Sequence, residues 1–497
     1  MTILATNDIH AHLDEFNKGG TDCRQKDIDA NLCFGGAARI KYLVDKTRAE
    51  NDNVVLLDAG DQFQGTLFFN VFGGTVSGQI MNMLKYDAMC IGNHEFDNGI
   101  EYAAEFFKNL TFPVVSSNID LETAKPLKEA GVKPYTILKD YGVGIIGYIT
   151  NTTASIATGA QNVTFYNAAP VVQKYVDELH AMGIKRIICV SHNGYNHDKY
   201  LAENTRGVNL IVGGHSHSLL LDNTTIAGVV GPYPTAQTNL DGQPTYIVQS
   251  HRYGDYLGHV QLAWNDADEL LSVTGESILM DKSVPKHNET AIQVAEWRKE
   301  FAALTALVVG KTSGVFDIVG CGTGECAIGN LIADSMQADA KTDIAFHNAG
   351  GIRAAFQIGD VTYADVLTCL PFGNTVTEFT YTGQQVLDLL ERVYAGKSKD
   401  GNVVVSKPQW AGIKFSYNPA LPEFQRIVKV EIGGRPLDPA ATYSLATNDF
   451  VSGGGDGIMD KLSLPPGNLM ADALINWFKL KGTVAPTIEG RITVVSA

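Results

Sequence analysis

Five short segments in the first half of the chain end an apolar run with side chains that bind metals. They are Asp8-Ile9-His10, Asp58-Ala59-Gly60-Asp61, Gly92-Asn93-His94-Glu95-Phe96-Asp97, Ser191-His192-Asn193-Gly194 and Gly213-Gly214-His215-Ser216-His217. Carboxylates, imidazoles and one amide oxygen form a donor set for zinc, manganese, cobalt or iron; calcium, which takes oxygen shells, fits it poorly. The glycines beside Asp61, Asn93 and His215 let the backbone turn tightly after each run. Each segment alone has a plain explanation, as an exposed polar stretch or a turn. Five of them in the same place relative to an apolar run are not explained as independent turns.

Elements must bring these segments together. The apolar runs Ile3–Thr6, Val54–Leu57, Ala88–Ile91, Pro113–Ser116, Val143–Ile149, Arg186–Val190 and Leu210–Val212 read as strands alternating with helical patterns, with Tyr246–Ser250 and Leu257–Leu262 as further strands. In an open α/β sheet, ligands at the carboxyl ends of strands converge. The texture changes after about Asp281. Lys286 to Leu307 is charged and helix-compatible, with Ile292, Ala295, Phe301 and Leu304 near helical spacing, as a connecting helix would be. From Gly310 a second α/β region follows, with a helix expected over Ala327–Gln337 and a hairpin around Val428–Pro436.

At 497 residues the chain exceeds one hydrophobic core, and two domains of roughly 200–280 residues are expected. The 38 basic and 54 acidic residues give a net charge of −16, a field that argues against nucleic-acid binding. A small phosphorylated substrate remains compatible, because bound metals reverse the charge locally. No stretch reaches the roughly 20 apolar residues of a membrane span. Met1 and Thr2 lead directly into a strand, so a secreted, cell-surface or periplasmic protein with its signal peptide trimmed is expected. Cys23 with Cys33, and Cys321 with Cys326, could form two short disulfides, whereas Cys90 and Cys189 sit in apolar runs as buried thiols. Sequons at Asn109, Asn151, Asn162, Asn223 and Asn288 would suit a secreted glycoprotein.

The order D-x-H, G-D, G-N-H-E-x-D, a lone H, then G-H-x-H resembles the calcineurin-like metallophosphoesterases. The longer forms TNDIHAH, DAGDQFQG, GNHEFDNG and GGHSH resemble the 5′-nucleotidase family within them. His347–Arg353 (HNAGGIR), Leu370–Asn374 (LPFGN) and Asn448–Gly457 (NDFVSGGGDG) are similar to that family's C-terminal nucleotide-binding domain, so nearly the whole chain is covered. The resemblance implies an α/β protein: a calcineurin-like β-sandwich flanked by helices over 1–285, a linker helix over 286–309 and an α/β nucleotide-binding domain over 310–497. It also implies that Asp8, His10 and His217 hold one ion, Asn93, His192 and His215 another, and that Asp61 bridges them. Two such ions, zinc first with manganese or cobalt as alternatives, clamp an in-line displacement and create hydroxide near neutral pH. His94 would stabilise charge on the phosphoryl or leaving-group oxygens with Asp97 orienting it, and Glu95 would be structural.

In the C-terminal half the resemblance implies that Arg353 contacts phosphate, Trp410 and Phe450 sandwich the base, and Asn348 and Asp456 contact base or ribose. The expected reaction is hydrolysis of nucleoside 5′-monophosphates to nucleoside and phosphate. Hydrolysis of nucleoside di- or triphosphates or UDP-sugars, or 2′,3′-cyclic nucleotide phosphodiesterase with 3′-nucleotidase activity, would use the same centre. A sulfur-compound hydrolase of the same superfamily would need no base clamp. A nucleotide-binding protein without turnover would lack a ligand, or His94 or Asp97, and all nine positions are present. Two departures stand out: Gly310–Asp334 holds Lys311 but no arginine, which disfavours long polyphosphates, and Trp410 stands where the family has Phe.

Overall fold

The computed structural model describes residues 1–495, in two compact units. One comprises residues 1–18 and 22–300; the other takes residues 19–21 and the chain from 301 onward.

The first unit contains two six-stranded sheets. In one, Thr2–Thr6 lies at the centre, parallel to Val54–Asp58 and antiparallel to Tyr256–Trp264; Ala88–Cys90, Val114–Val115 and Leu270–Leu279 complete it. In the other, Arg186–His192 runs parallel to both Val143–Ile149 and Leu210–Gly213, flanked by Pro244–Val248, Thr235–Thr238 and Tyr135–Leu138. The runs in the middle of each sheet are apolar on both faces, as strands covered on both sides must be. Ile3, Val55, Leu57, Ala88 and Cys90 from the first sheet share one core with Ile145, Ile188, Val190, Leu210 and Val212 from the second. The two sheets therefore form a sandwich. Val172, Val176 and Leu179 of the helix Ala168–Ala181 join that core.

Three strands of these two six-stranded sheets have no counterpart among the sequence-based expectations: Tyr135–Leu138, Thr235–Thr238 and Leu270–Leu279. The last is ten residues long, yet it lies at a sheet edge with most side chains partly or fully exposed, so it carries no apolar run. The stretch read as one connecting helix is three pieces, Asn288–Arg298, a 3-10 turn Lys299–Phe301 and Ala302–Ala306.

The second unit holds a four-stranded sheet in the order Val376–Thr382, Thr442–Asn448, Ile344–Asn348, Pro408–Ala411. The helix Ala327–Ala340 packs beside it, and the hairpin at the expected place pairs Ile432 with Arg435. Disulfides join Cys23 to Cys33 and Cys321 to Cys326, while Cys90, Cys189 and Cys369 are free and buried. No helix among the described residues is long and apolar enough to cross a membrane.

Candidate active site

Parallel pairing puts the ligand-bearing loops side by side. Thr6 is in register with Asp58, and Asp58 with Met89, so the loops carrying Asp8, Asp61 and Asn93 leave one sheet together. In the facing sheet Ile149 pairs with His192, and Ser191 with Gly213, which places His192 beside the His215 loop. Asp8, His10, Asp61, His215 and His217 all adopt positive φ, between 48° and 73°. Non-glycine residues enter that region at a cost of order 1–3 kcal/mol each, and such positions cluster at functional sites.

The side chains meet in three overlapping groups: Asp8 with His10 and His217, His10 with Asp61 and His94, and Asp61 with His192 and His215. His217 Nε2 lies 3.3 Å from Asp8 Oδ1 and 3.2 Å from His10 Nε2. His192 Nε2 lies 3.1 Å from Asp61 Oδ2 and 3.1 Å from Asn93 Oδ1. Asp61 thus touches both ends of the cluster. His94 Nε2 is 4.0 Å from Asp61, and its Nδ1 lies 2.8 Å from the Asp97 carboxylate.

The donor set fits divalent cations. The Nδ1 atoms of His10 and His192 lie 2.9 Å and 2.7 Å from the carbonyls of Phe63 and Ala59. Donating N–H to those carbonyls leaves each Nε2 lone pair pointing inward, the arrangement of metal-binding histidines. The lone pair of His192 then faces Asn93 Oδ1, and two acceptors in contact require a cation or a proton between them. Burial alone would lower His192, but the Asp61 carboxylate outweighs it and lifts the imidazole to about 10. Burial, then the neighbouring His192, push His215 down to about 4. Asp61 resists its own burial: the imidazoles of His192, His94 and His10 hold it well below the usual carboxylate range. The chain therefore carries a divalent-metal site.

The loops are also tied to one another. The wholly buried Glu95 carboxylate accepts the backbone N–H groups of Asp61, Gln62, Phe63 and Gly92 at 2.7–3.2 Å. Asp61 Oδ1 in turn accepts the N–H of His94 at 2.9 Å. A side chain on Gly92 would strike Asp61, so the crossing of the two loops requires glycine there.

In the second unit, Asn348 Nδ2 donates to Asp456 Oδ2 at 2.9 Å, and Asn448 donates to Asn348 at 3.0 Å. Asp456 has positive φ, and half-buried Phe450 packs across Gly455 on the same loop. Arg353 donates to the Gly350 carbonyl and lies 5.8 Å from the Phe372 ring. Asn348, Asn448 and Asp456 thus meet where the strands Ile344–Asn348 and Thr442–Asn448 end.

Trp410 is a correction. It is 0% exposed and stacks on Phe346 with ring centroids 4.7 Å apart, with Phe415 against its edge. Every residue of its strand, Pro408–Ala411, is buried, so the indole fills the core and offers no face to a base. Sequence reasoning also missed Asn7, His12 and Tyr253, which surround the Asp8–His10–His217 group. Asn7 and His12 lie inside the TNDIHAH motif, whereas nothing local marks Tyr253.

Comparison with known proteins agrees with this geometry. Residues 1–219 match the calcineurin-like phosphoesterase family, and residues 308–463 match the 5′-nucleotidase C-terminal domain. A 5′-nucleotidase of Homo sapiens is 31% identical over 99% of this chain and 90% of its own length. A snake venom 5′-nucleotidase of Naja atra is 30% identical, over 99% of this chain and 98% of its own. The crystal structure of a 5′-nucleotidase precursor from Thermus thermophilus superposes with a TM-score of 0.90 at 33% identity, covering 100% of this chain and 99% of that one. A sulfate thiohydrolase from the same organism superposes at 0.80 with 18% identity, a likeness of fold alone. The chain, with its metal-binding sandwich and its separate C-terminal domain, belongs to the 5′-nucleotidase family.

Proposed function

We propose that this protein hydrolyses nucleoside 5′-monophosphates to nucleoside and phosphate at a centre of two divalent ions. Asp8, His10 and His217 would hold one ion, Asn93, His192 and His215 the other, and Asp61 both. Zinc comes first, with manganese or cobalt as alternatives. The observation that carries the reading is the buried cluster in which inward-facing imidazole nitrogens meet a shared carboxylate and an amide oxygen. Such ions supply positive charge for the phosphoryl oxygens and lower the pKa of a bound water.

The residues of the chain do the rest. Asp97 takes the Nδ1 proton of His94 in a hydrogen bond, so the ring presents Nε2 on the side of Asp61. From there a protonated His94 donates to a phosphoryl or leaving-group oxygen as charge develops on it. Arg353 would contact phosphate, Phe450 would give one stacking face, and Asn348 with Asp456 would take base or ribose. The work divides among a metal domain over 1–285, a linker over 286–309 and a nucleotide domain over 310–497. Placement outside the cytoplasm is supported by the two disulfides, which persist in oxidising compartments.

With Trp410 in the core, the case against a small inorganic substrate rests on Phe450 and on the relatives. Substrate preference is tested by phosphate release, in parallel, from AMP, ADP, ATP, UDP-glucose and a 2′,3′-cyclic nucleotide. The expected result is fastest metal-dependent release from AMP. Silence on AMP with turnover of a cyclic or diphosphate substrate would overturn the 5′-monophosphate reading.

A further inference from the structure

The segment Ser250–Gly254 holds two non-glycine residues in the left-handed region, His251 (φ 54°) and Tyr253 (φ 63°). Such a backbone persists only where its surroundings hold it. Here the surroundings are the loops that carry Asp8 and His217. His251 donates its N–H to the Ser218 carbonyl at 3.1 Å, and Tyr253 donates its N–H to the Asp8 carbonyl at 2.7 Å.

Asn7 joins the two sides. Its buried amide donates to Asp8 Oδ2 and to the His251 carbonyl, both at 2.7 Å, and its Oδ1 accepts the N–H of Ser250 at 2.9 Å. An amide suits this position because it gives and accepts at once. A carboxylate would face Asp8 and a carbonyl with no proton to offer. The buried Tyr253 ring stacks on His12 with centroids 3.9 Å apart, and meets His10 and His217 edge-on at 5.8 Å and 6.0 Å. The Asn7 amide and the Tyr253 ring together reach all three members of the group Asp8, His10 and His217.

We propose that Asn7 is a positioning residue for one of the two ions: it locks the Asp8 carboxylate to the strained segment 250–254, whose Tyr253 backs His10 and His217. The inference rests on the two-ion reading above. It assigns the two positions unequal dependence on their surroundings. The ion at Asp8, His10 and His217 relies on Asn7 directly, whereas the ion at Asn93, His192 and His215 is reached only at one remove, through the backbone N–H that His215 donates to Asp8 at 3.0 Å. Partners that orient metal ligands typically contribute about 10- to 100-fold to affinity.

The test compares zinc retained by the full chain and by the variants Asn7→Ala and Asn7→Asp during dialysis against graded chelator, read by elemental analysis. Unfolding of each metal-free protein is measured alongside. The expected result is that wild type holds two ions. Both variants should release one of them at about 10- to 100-fold higher free zinc and shift the other far less. Asn7→Asp keeps the size and one acceptor oxygen, so it carries the test if Asn7→Ala does not fold. Release of both ions at the wild-type zinc level would overturn the inference. Equal weakening of both ions with lower metal-free stability would also overturn it, leaving Asn7 a general structural residue. Fewer than two ions in wild type would instead remove the two-ion reading, and the wild-type measurement alone reveals that.

Discussion

His94 and Asn93 are chain neighbours that face different partners. Asn93 turns its amide oxygen to His192, while His94 lies 2.8 Å from Asp97 on one side and 4.0 Å from Asp61 on the other. If His94 supplies a proton to the reaction, His94→Ala should lower kcat by about 10²- to 10⁴-fold, with metal content unchanged by elemental analysis. Equal loss of bound metal would make His94 a ligand instead. Asp97→Asn should lower kcat less, since the imidazole remains while its orientation is lost. The two aromatics of the C-terminal half separate in the same way. Trp410→Ala leaves a cavity in a closed core and should destabilise by about 3–5 kcal/mol with KM for AMP unchanged at low temperature. Phe450→Ala should raise KM with little change in stability. Equal effects of the two variants on KM would contradict the placement of Trp410. At this scale the residues that cluster around Asp61 are legible in sequence because metal-binding chemistry restricts residue type. Trp410 is not, because aromatic identity does not say which face of a strand is closed. Asn7 and Tyr253 act through partners that lie far away in the chain, and the contact of Asn7 with His251 spans 244 positions.

Strand ends do the positioning, and a buried polar group beneath them gives the metal-bearing sheet a pH dependence. Asp198, on the helix Tyr195–Glu203, accepts the hydroxyls of Tyr148 at 2.8 Å and of Ser191, the residue before His192, at 2.5 Å. Its second oxygen has no hydrogen-bond partner among the described residues. Burial raises this carboxyl from 3.8 to about 7. A raised value in the fold means that the proton stabilises it. That contribution is complete below about 3.8 and is lost as pH rises through about 7. Between pH 5 and pH 8 the metal-free wild type should therefore lose about 2–3 kcal/mol more stability than Asp198→Asn, by urea unfolding. Parallel curves for the two proteins would show that Asp198 does not titrate there. The central strands are legible because burial on both faces makes them continuous apolar runs. Leu270–Leu279 is hidden because an exposed edge strand has no such run, and the register that brings five loops together is a property of pairing, not of local sequence.

The whole chain divides into two units with separate cores, one gathered around Val55, Ile188 and Val212, the others around Ile332, Leu474 and Leu390. Separate cores predict separate unfolding transitions. Chelation should lower the transition of the first unit only, by roughly 3 kcal/mol if metal is present at about 100 times its dissociation constant. A nucleoside should raise only the other. Calorimetry with and without chelator reads both, and a single transition shifted by either treatment would contradict independent cores. The cluster around Asp61, proposed above as a two-ion phosphohydrolase centre, should depend on metal in a fixed ratio. The most direct measurement is a titration of metal-free protein with zinc or manganese while phosphate release from AMP is followed. Little release is expected up to one equivalent, with a rise that ends at two per chain. Full turnover of AMP without metal, or a plateau at one equivalent, would contradict it.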